Sequence, residues 1–185
     1  MQGLRAYVVE LMNYHTAAEI EFAIATQYFN TRQNLIVPNV SWGLGLHECD
    51  LLVLTTAGYA YEVEIKVSKA DLVKDKLKKH GHSSNSIKKL YFAIPAKLAK
   101  HIEHIPRHAG VIVVTTTGLC RLIAEAEMNK HAPKFSDAER LQLARLGALR
   151  IWGMKEKLLN QKAHIAGLKK KIADLETHLA LDTSA

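Results

Sequence analysis

Apolar residues recur at helical spacing in the first part of the chain, at Ala17, Ile20, Ala23, Ile24 and Phe29. Thr16, with Glu19 three residues on, forms a capping box and predicts a helix start there. Leu35 to Val40 has strand character. Pro38 has no N–H to donate, so that strand belongs at a sheet edge or a bulge. A loop follows through Ser41-Trp42-Gly43-Leu44-Gly45. Cys49 to Thr56 is a near-continuous apolar run, the pattern of a buried strand. Ala57-Gly58 supplies a turn. Tyr59 to Val67 then alternates strictly, which predicts a second strand paired to the first as a hairpin. Ser68 is placed as an N-cap, with Asp71 at the capping-box position, so Ala70 to Lys79 reads as a helix.

Leu90 to Ile94 is a further strand ended by Pro95, and Ala96 to Ile105 a short helix. Val111 to Thr115 is a strand that Leu119 to Ala124 can pair with across Thr117-Gly118. Helices interleaved with strands predict an α/β fold, a mixed sheet flanked by helices. The pattern divides the chain into a domain over 1–128, a linker over 129–135 that contains Pro133, and a helical segment over 136–182. Ser136 and Glu139 cap that last segment. Within it Ile151, Leu158, Ile165, Ile172 and Leu179 stand one heptad apart. Met154, Leu168 and Leu175 fill the second seam, which Gln161 interrupts. About four heptads suffice for a coiled coil, although Gly153 and Gly167 each cost roughly 1 kcal/mol relative to Ala. The flanks are mostly basic, through Lys155, Lys157, Lys162, Lys169 and Lys171, with only Glu176 opposite in sign. A homodimer through this helix is the favoured expectation. An antiparallel pair, an acidic partner, or a helix laid back on the globular body stays open.

Composition narrows the function classes. Among 185 residues, 48% are hydrophobic and 23% charged, which fits a folded domain and neither a disordered chain nor a membrane protein. Lys and Arg number 25 against 18 Asp and Glu, a formal charge of +7, and this basic balance suits a polyanionic partner. The two cysteines, Cys49 and Cys120, lie in apolar runs and are expected as buried reduced thiols. No apolar stretch approaches the ~20 residues of a membrane span. Glu10 interrupts the short apolar run after Arg5, unlike a signal peptide. A cytoplasmic protein is expected.

The candidate chemistry lies in the hairpin. On a strand, alternate side chains share a face, so Glu62, Glu64 and Lys66 lie together, opposite Tyr61, Val63, Ile65 and Val67. Glu48 and Asp50 share a face where the preceding strand begins, and the hairpin can bring Asp50 close to Glu64 and Lys66. Two carboxylates and an amine on one spot suit phosphodiester hydrolysis. Carboxylate oxygens bind Mg²⁺, which keeps several waters and can grip a phosphate. The metal lowers the pKa of a bound water and polarises the phosphoryl oxygen, and a nearby lysine can steady the charged transition state. The competing reading is an amphipathic strand with a solvated polar face.

From about Thr16 to Thr117 the chain resembles the PD-(D/E)xK nuclease superfamily. The motif aspartate is matched by Asp50, although Cys49 stands where proline is usual; the glutamate and lysine are matched by Glu64 and Lys66. The resemblance implies a restriction-endonuclease-like fold and an Mg²⁺-dependent deoxyribonuclease, with Mn²⁺ as a substitute. Asp50 and Glu64 would be the metal ligands, Lys66 would assist water attack, and a first-helix carboxylate, carried to Glu19 with Glu21 as competitor, would support the site. The segments EVEIKVSKADLVKD (Glu62 to Asp75), KLYFAIP (Lys89 to Pro95) and HAGVIVV (His108 to Val114) are similar to MmcB-like DNA-repair proteins and related phage proteins. That branch implies DNA processing or repair. The coiled-coil segment lies outside the resemblance.

Lys74, Lys76, Lys78, Lys79, Lys88 and Lys89 surround the helix after the motif. They could track DNA phosphates, giving affinity without sequence readout, or simply form a solvated face. His80-Gly81-His82 reads as a surface loop, and His101, His104 and His108 straddle Pro106 and make a poor metal set. No Walker loop is present. The sequence thus predicts a metal-dependent DNA nuclease. The alternative is a catalytically silent module that keeps the nuclease fold and recruits DNA or a partner.

Overall fold

The computed structural model describes residues 16–75 and 84–182, with side chains through 176. Helix α1 (Ala17–Ala23) continues into a wider π-type turn over Ile24–Tyr28. Strands β1 (Leu35–Val40), β2 (Cys49–Leu54) and β3 (Ala60–Ile65) precede helix α2 (Lys69–Asp75). Then come β4 (Ile87–Pro95), a 3₁₀ segment (Ala96–His104), β5 (Gly110–Val114), β6 (Cys120–Ala124) and the long helix α3 (Asp137–Asp182). Six strands form one mixed sheet in the order β1-β2-β3-β4-β5-β6. β3, β4 and β5 are parallel to one another, and the other neighbouring pairs are antiparallel. The α/β class expected from the pattern is what the chain adopts.

The expected local devices account for these elements. Thr16 accepts from the Glu19 N–H at 3.3 Å, while the Glu19 carboxylate takes the Thr16 N–H at 2.7 Å. The Ser68 hydroxyl accepts from the Asp71 N–H at 3.2 Å, and Ser136 with Glu139 repeats the box at the start of α3. Pro38 sits in β1 at the sheet edge, and the next residue, Asn39, takes a φ of 52°, a kink that breaks the strand's regular course. Ala96–His104 is a 3₁₀ segment with a break at His101 rather than an α-helix.

Both sheet faces are covered. On one, Ile20, Ala23, Ile24 and Phe29 pack on Leu51, Val53, Val63, Ile65 and Ala93. On the other are two separate apolar clusters. Leu52, Leu54 and Ala60 lie with Phe135, Leu143 and Leu146, while Leu72 lies with Leu90, Phe92, Ile94 and Leu98. β3 runs between these clusters and presents Glu62 and Glu64 on that face, beside Leu52 and Leu90 and beside Phe92.

The packing runs past the expected boundaries at 128 and 136. The segment 129–135 is packed, not a free linker. The Asn129 N–H reaches the Lys88 carbonyl at 2.9 Å, the Phe135 N–H reaches the Gly58 carbonyl at 2.8 Å, and Phe135 is buried. Leu143 and Leu146, in the first turns of α3, complete the core, and the compact unit extends through Gly147. The remainder, from Ala148 on, is a second unit.

Candidate active site

Asp50 precedes Leu51, whose register partner is Val63, so Asp50 stands across from Glu64 on neighbouring strands. The Ile65 N–H donates to Asp50 Oδ2 at 2.7 Å and fixes the carboxylate where β3 ends. Lys66 follows directly, and its ammonium lies 2.5 Å from Glu64 Oε2, 3.0 Å from Asp75 Oδ1 and 3.9 Å from Asp50 Oδ2. Glu64 is 1% exposed, whereas the Asp50 side chain is 42% exposed. A buried carboxylate thus backs a half-exposed one, at an open cleft lined by Asp50, Ile65, Lys66, Asp71, Lys74 and Asp75.

The electrostatics follow from this crowding. Burial of Lys66 works against its charge, but Glu64 and Asp75 outweigh that, and the ammonium pKa is raised. Taking carboxylates out of water is costly unless each meets a cation or donor, and one amine serves Glu64 and Asp75 together. One step along β3, buried Glu62 meets His47 Nε2 at 2.8 Å. Glu48 is exposed and takes no place in this row. The Cys49 thiol, also in this neighbourhood, is pushed far up by burial and then by Glu62, Glu64 and Asp50, so it stays neutral.

The two carboxylates of α1 sit differently. Glu19 is spent on the capping box and lines a groove with Phe22, Gln27 and Thr117, away from the cleft. Glu21 is the carboxylate of α1 that senses Asp50. Its pKa is raised, first by burial and then by the Asp50 charge. Lys74 lines the cleft. Lys88 and Lys89 do not. Tyr61 of β3 pairs with Lys89 and Ile65 with Ala93, so four residues at ~3.3 Å each put Lys89 about 13 Å along the strand from the cleft. There Lys88 lies 4.6 Å above the Tyr59 ring, and Lys89 contacts the Tyr91 hydroxyl and Glu125 at 3.4 Å each. Lys76, Lys78 and Lys79, like His80 and His82, fall outside the described residues.

Sequence reasoning missed Asp75. Its signal was the helical face: Leu72, three residues earlier, is fully buried, and a residue three further on shares that side. Asp75 is accordingly 5% exposed. His101, Glu103 and His104 do cluster, with both imidazoles within 3.6 Å of the Glu103 carboxylate, but on the 3₁₀ segment rather than at the cleft.

Residues 8–157 match the sequence pattern of the DNA repair protein MmcB-like family. The chain belongs to the MmcB-like family. A solved structure of a protein of unknown function from Silicibacter pomeroyi is similar to this MmcB-like chain at 16% identity and a TM-score of 0.53. The match covers 76% of this chain and 90% of that one. At that identity the likeness speaks for the fold alone. No curated relative matches the chain. The MmcB-like match covers the hairpin, α2 and the first turns of α3, and the family's description points to a role in DNA repair.

Proposed function

We propose that this MmcB-like protein is a metal-dependent DNA nuclease of the PD-(D/E)xK type. The observation that carries the proposal is the convergence of Asp50, Glu64 and Lys66: Asp50 and Lys66 line an open cleft, and buried Glu64 contacts the Lys66 ammonium behind it. The donor set fits a hard divalent cation. Its ligands are carboxylate oxygens, one group is half-exposed and can exchange water, and three acidic side chains already gather around one cation, the Lys66 ammonium. Asp50 and Glu64 are the residues that would hold Mg²⁺ or Mn²⁺. The ion would supply a bound water of lowered pKa and polarise the phosphoryl oxygen.

The chain's own groups divide the remaining work. The Ile65 N–H holds one oxygen of Asp50 and so orients the carboxylate in advance. Lys66 offers positive charge to the phosphate oxygens as negative charge grows on them, and Asp75 and Glu64 aim its amine. Lys74 at the rim can contact a backbone phosphate. Glu21, on the Asp50 side, adds a further carboxylate in range of the cleft.

Incubation with branched, linear and single-stranded DNA, in Mg²⁺ or Mn²⁺ against EDTA, tests the proposal. Metal-dependent cleavage that Glu64→Gln abolishes supports it. One observation favours the alternative of a silent DNA-binding module: Lys66 is clamped between two buried carboxylates, a closed network that holds the fold together without a metal. Binding of DNA with no cleavage in either metal would establish that alternative.

A further inference from the structure

The C-terminal unit, from Ala148, carries an apolar stripe that is exposed among the described residues. Ile151, Leu158, Ile165, Leu168, Ile172 and Leu175 are between 46% and 63% exposed, at heptad spacing. Trp152 and Leu159, at 65% and 67%, widen the stripe on one side. A seam of this length on an exposed helix calls for a partner. The family match ends at residue 157, so nearly all of the seam belongs to this chain and not to the shared MmcB-like pattern.

The flanks say which partner. Arg150, Lys155, Lys157, Lys162, Lys169 and Lys171 border the seam, with Glu176 the one acidic exception. In a parallel pair of copies, Lys157 would face Lys162 of the second copy. In an antiparallel pair, like flanks would meet again. Either arrangement of two copies sets ammonium against ammonium along the contact, and like charges at these positions oppose pairing. Nucleic acid would satisfy the lysines but leave the Ile and Leu stripe in water. An amphipathic helix with an Ile/Leu seam flanked by Asp and Glu satisfies both the apolar and the charged positions.

We infer that the helix beyond Ala148 is a docking surface for an acidic amphipathic helix of another protein. It would bring the DNA-repair domain to that partner through a heteromeric coiled coil.

The test uses the full-length chain and a labelled synthetic helix of about 30 residues, some four heptads, with Leu and Ile at the seam and Glu on both flanks. A companion peptide keeps every Glu but carries Ser at the seam. The first peptide should form a one-to-one helical complex, read by fluorescence anisotropy and circular dichroism, and the companion should not bind. Raising salt from ~0.1 to ~1 M should weaken the complex roughly tenfold or more by screening the flanks. Leu158→Asp with Ile165→Asp should abolish it, and Lys157→Glu with Lys162→Glu should weaken it more than tenfold. These positions are exposed in a unit separate from the core, so the variants keep the folded domain. Equal binding of both peptides would overturn the inference. So would sedimentation showing a stable dimer of full-length chains that the acidic peptide does not dissociate, because the occupant is then a second copy. Loss of DNA affinity in the Leu158/Ile165 variant, without any peptide binding by the wild type, would assign the helix to nucleic acid instead.

Discussion

Replacing Lys66 by Met tests the ion network at its centre. The side chain is 9% exposed, and its amine is the shared counter-ion of Glu64 at 2.5 Å and Asp75 at 3.0 Å, which are 1% and 3% exposed. At an effective dielectric near 20, one contact at ~3 Å is worth about 5 kcal/mol before desolvation is counted. Removing one member of a buried pair costs roughly 3–5 kcal/mol, because its partner is left charged and dry. Here two buried carboxylates lose their shared ammonium, so the loss should fall at the upper end of that range, a large share of an ordinary domain's 5–15 kcal/mol. The pH dependence gives the cause. The Lys66 pKa is raised in the fold, so its contribution is fully present below the unfolded lysine value of 10.5 and is lost as pH rises through the folded value. In Lys66→Met, proton uptake relieves the two carboxylates that have lost the ammonium, so the deficit should shrink as pH falls from about 8 towards 4. Urea unfolding followed by circular dichroism across that range measures both effects. The double variant Glu64→Gln/Lys66→Met should recover part of the loss. A single variant within about 1 kcal/mol of wild type at pH 7.5, or a deficit that does not change with pH, would refute the reasoning.

Other outcomes follow from the same geometry. Glu21 has a raised pKa, so its ionisation in the fold is unfavourable and stability falls as pH rises from 4.5 through the folded value. A bound cation competes with that proton, so Mn²⁺ affinity by calorimetry should strengthen with pH over that window and flatten in Glu21→Gln. Leu143→Ala, at a fully buried site on α3, should cost about 2–5 kcal/mol in urea unfolding. Truncation after Gly147 should leave the domain's unfolding midpoint unchanged, whereas truncation after Glu127 should unfold it. Lys74→Ala should weaken DNA binding and reduce the salt slope by about one, while Lys88→Ala, sited over Tyr59, should leave that slope unchanged.

The fold was legible wherever a local rule governs it. Two capping boxes, the Ser68 cap, the alternation of Tyr59 to Val67 and the edge position of Pro38 are each local consequences of backbone hydrogen bonding, and each forms as the residues predict. Asp50, Glu64 and Lys66 could be brought together on paper because strand alternation and a short turn fix a hairpin's register. What the sequence did not reveal is tertiary. Whether Glu19 or Glu21 faces Asp50 depends on how α1 is rotated on the sheet, since residues two apart on a helix point to different sides. Lys88 and Lys89 follow α2 closely in sequence, but parallel pairing starts β4 at the far end of β3 and carries them from the cleft. The division at 128 and 136 followed Pro133 and the polar residues around it. Burial of Phe135, Leu143 and Leu146 against β1 and β2 is a long-range contact that no local pattern announces.

Single-turnover cleavage of labelled DNA by wild type and Asp50→Asn, at matched folding stability and saturating Mn²⁺, tests the proposed chemistry most directly. Asn at this half-exposed position can still accept the Ile65 N–H but lacks the charge to hold a cation. The account predicts metal-dependent cleavage by wild type and a loss of at least about a hundredfold in the variant, the scale of removing a group that acts on transition-state charge. Equal rates in the two proteins, or cleavage by wild type that persists in EDTA, would contradict it.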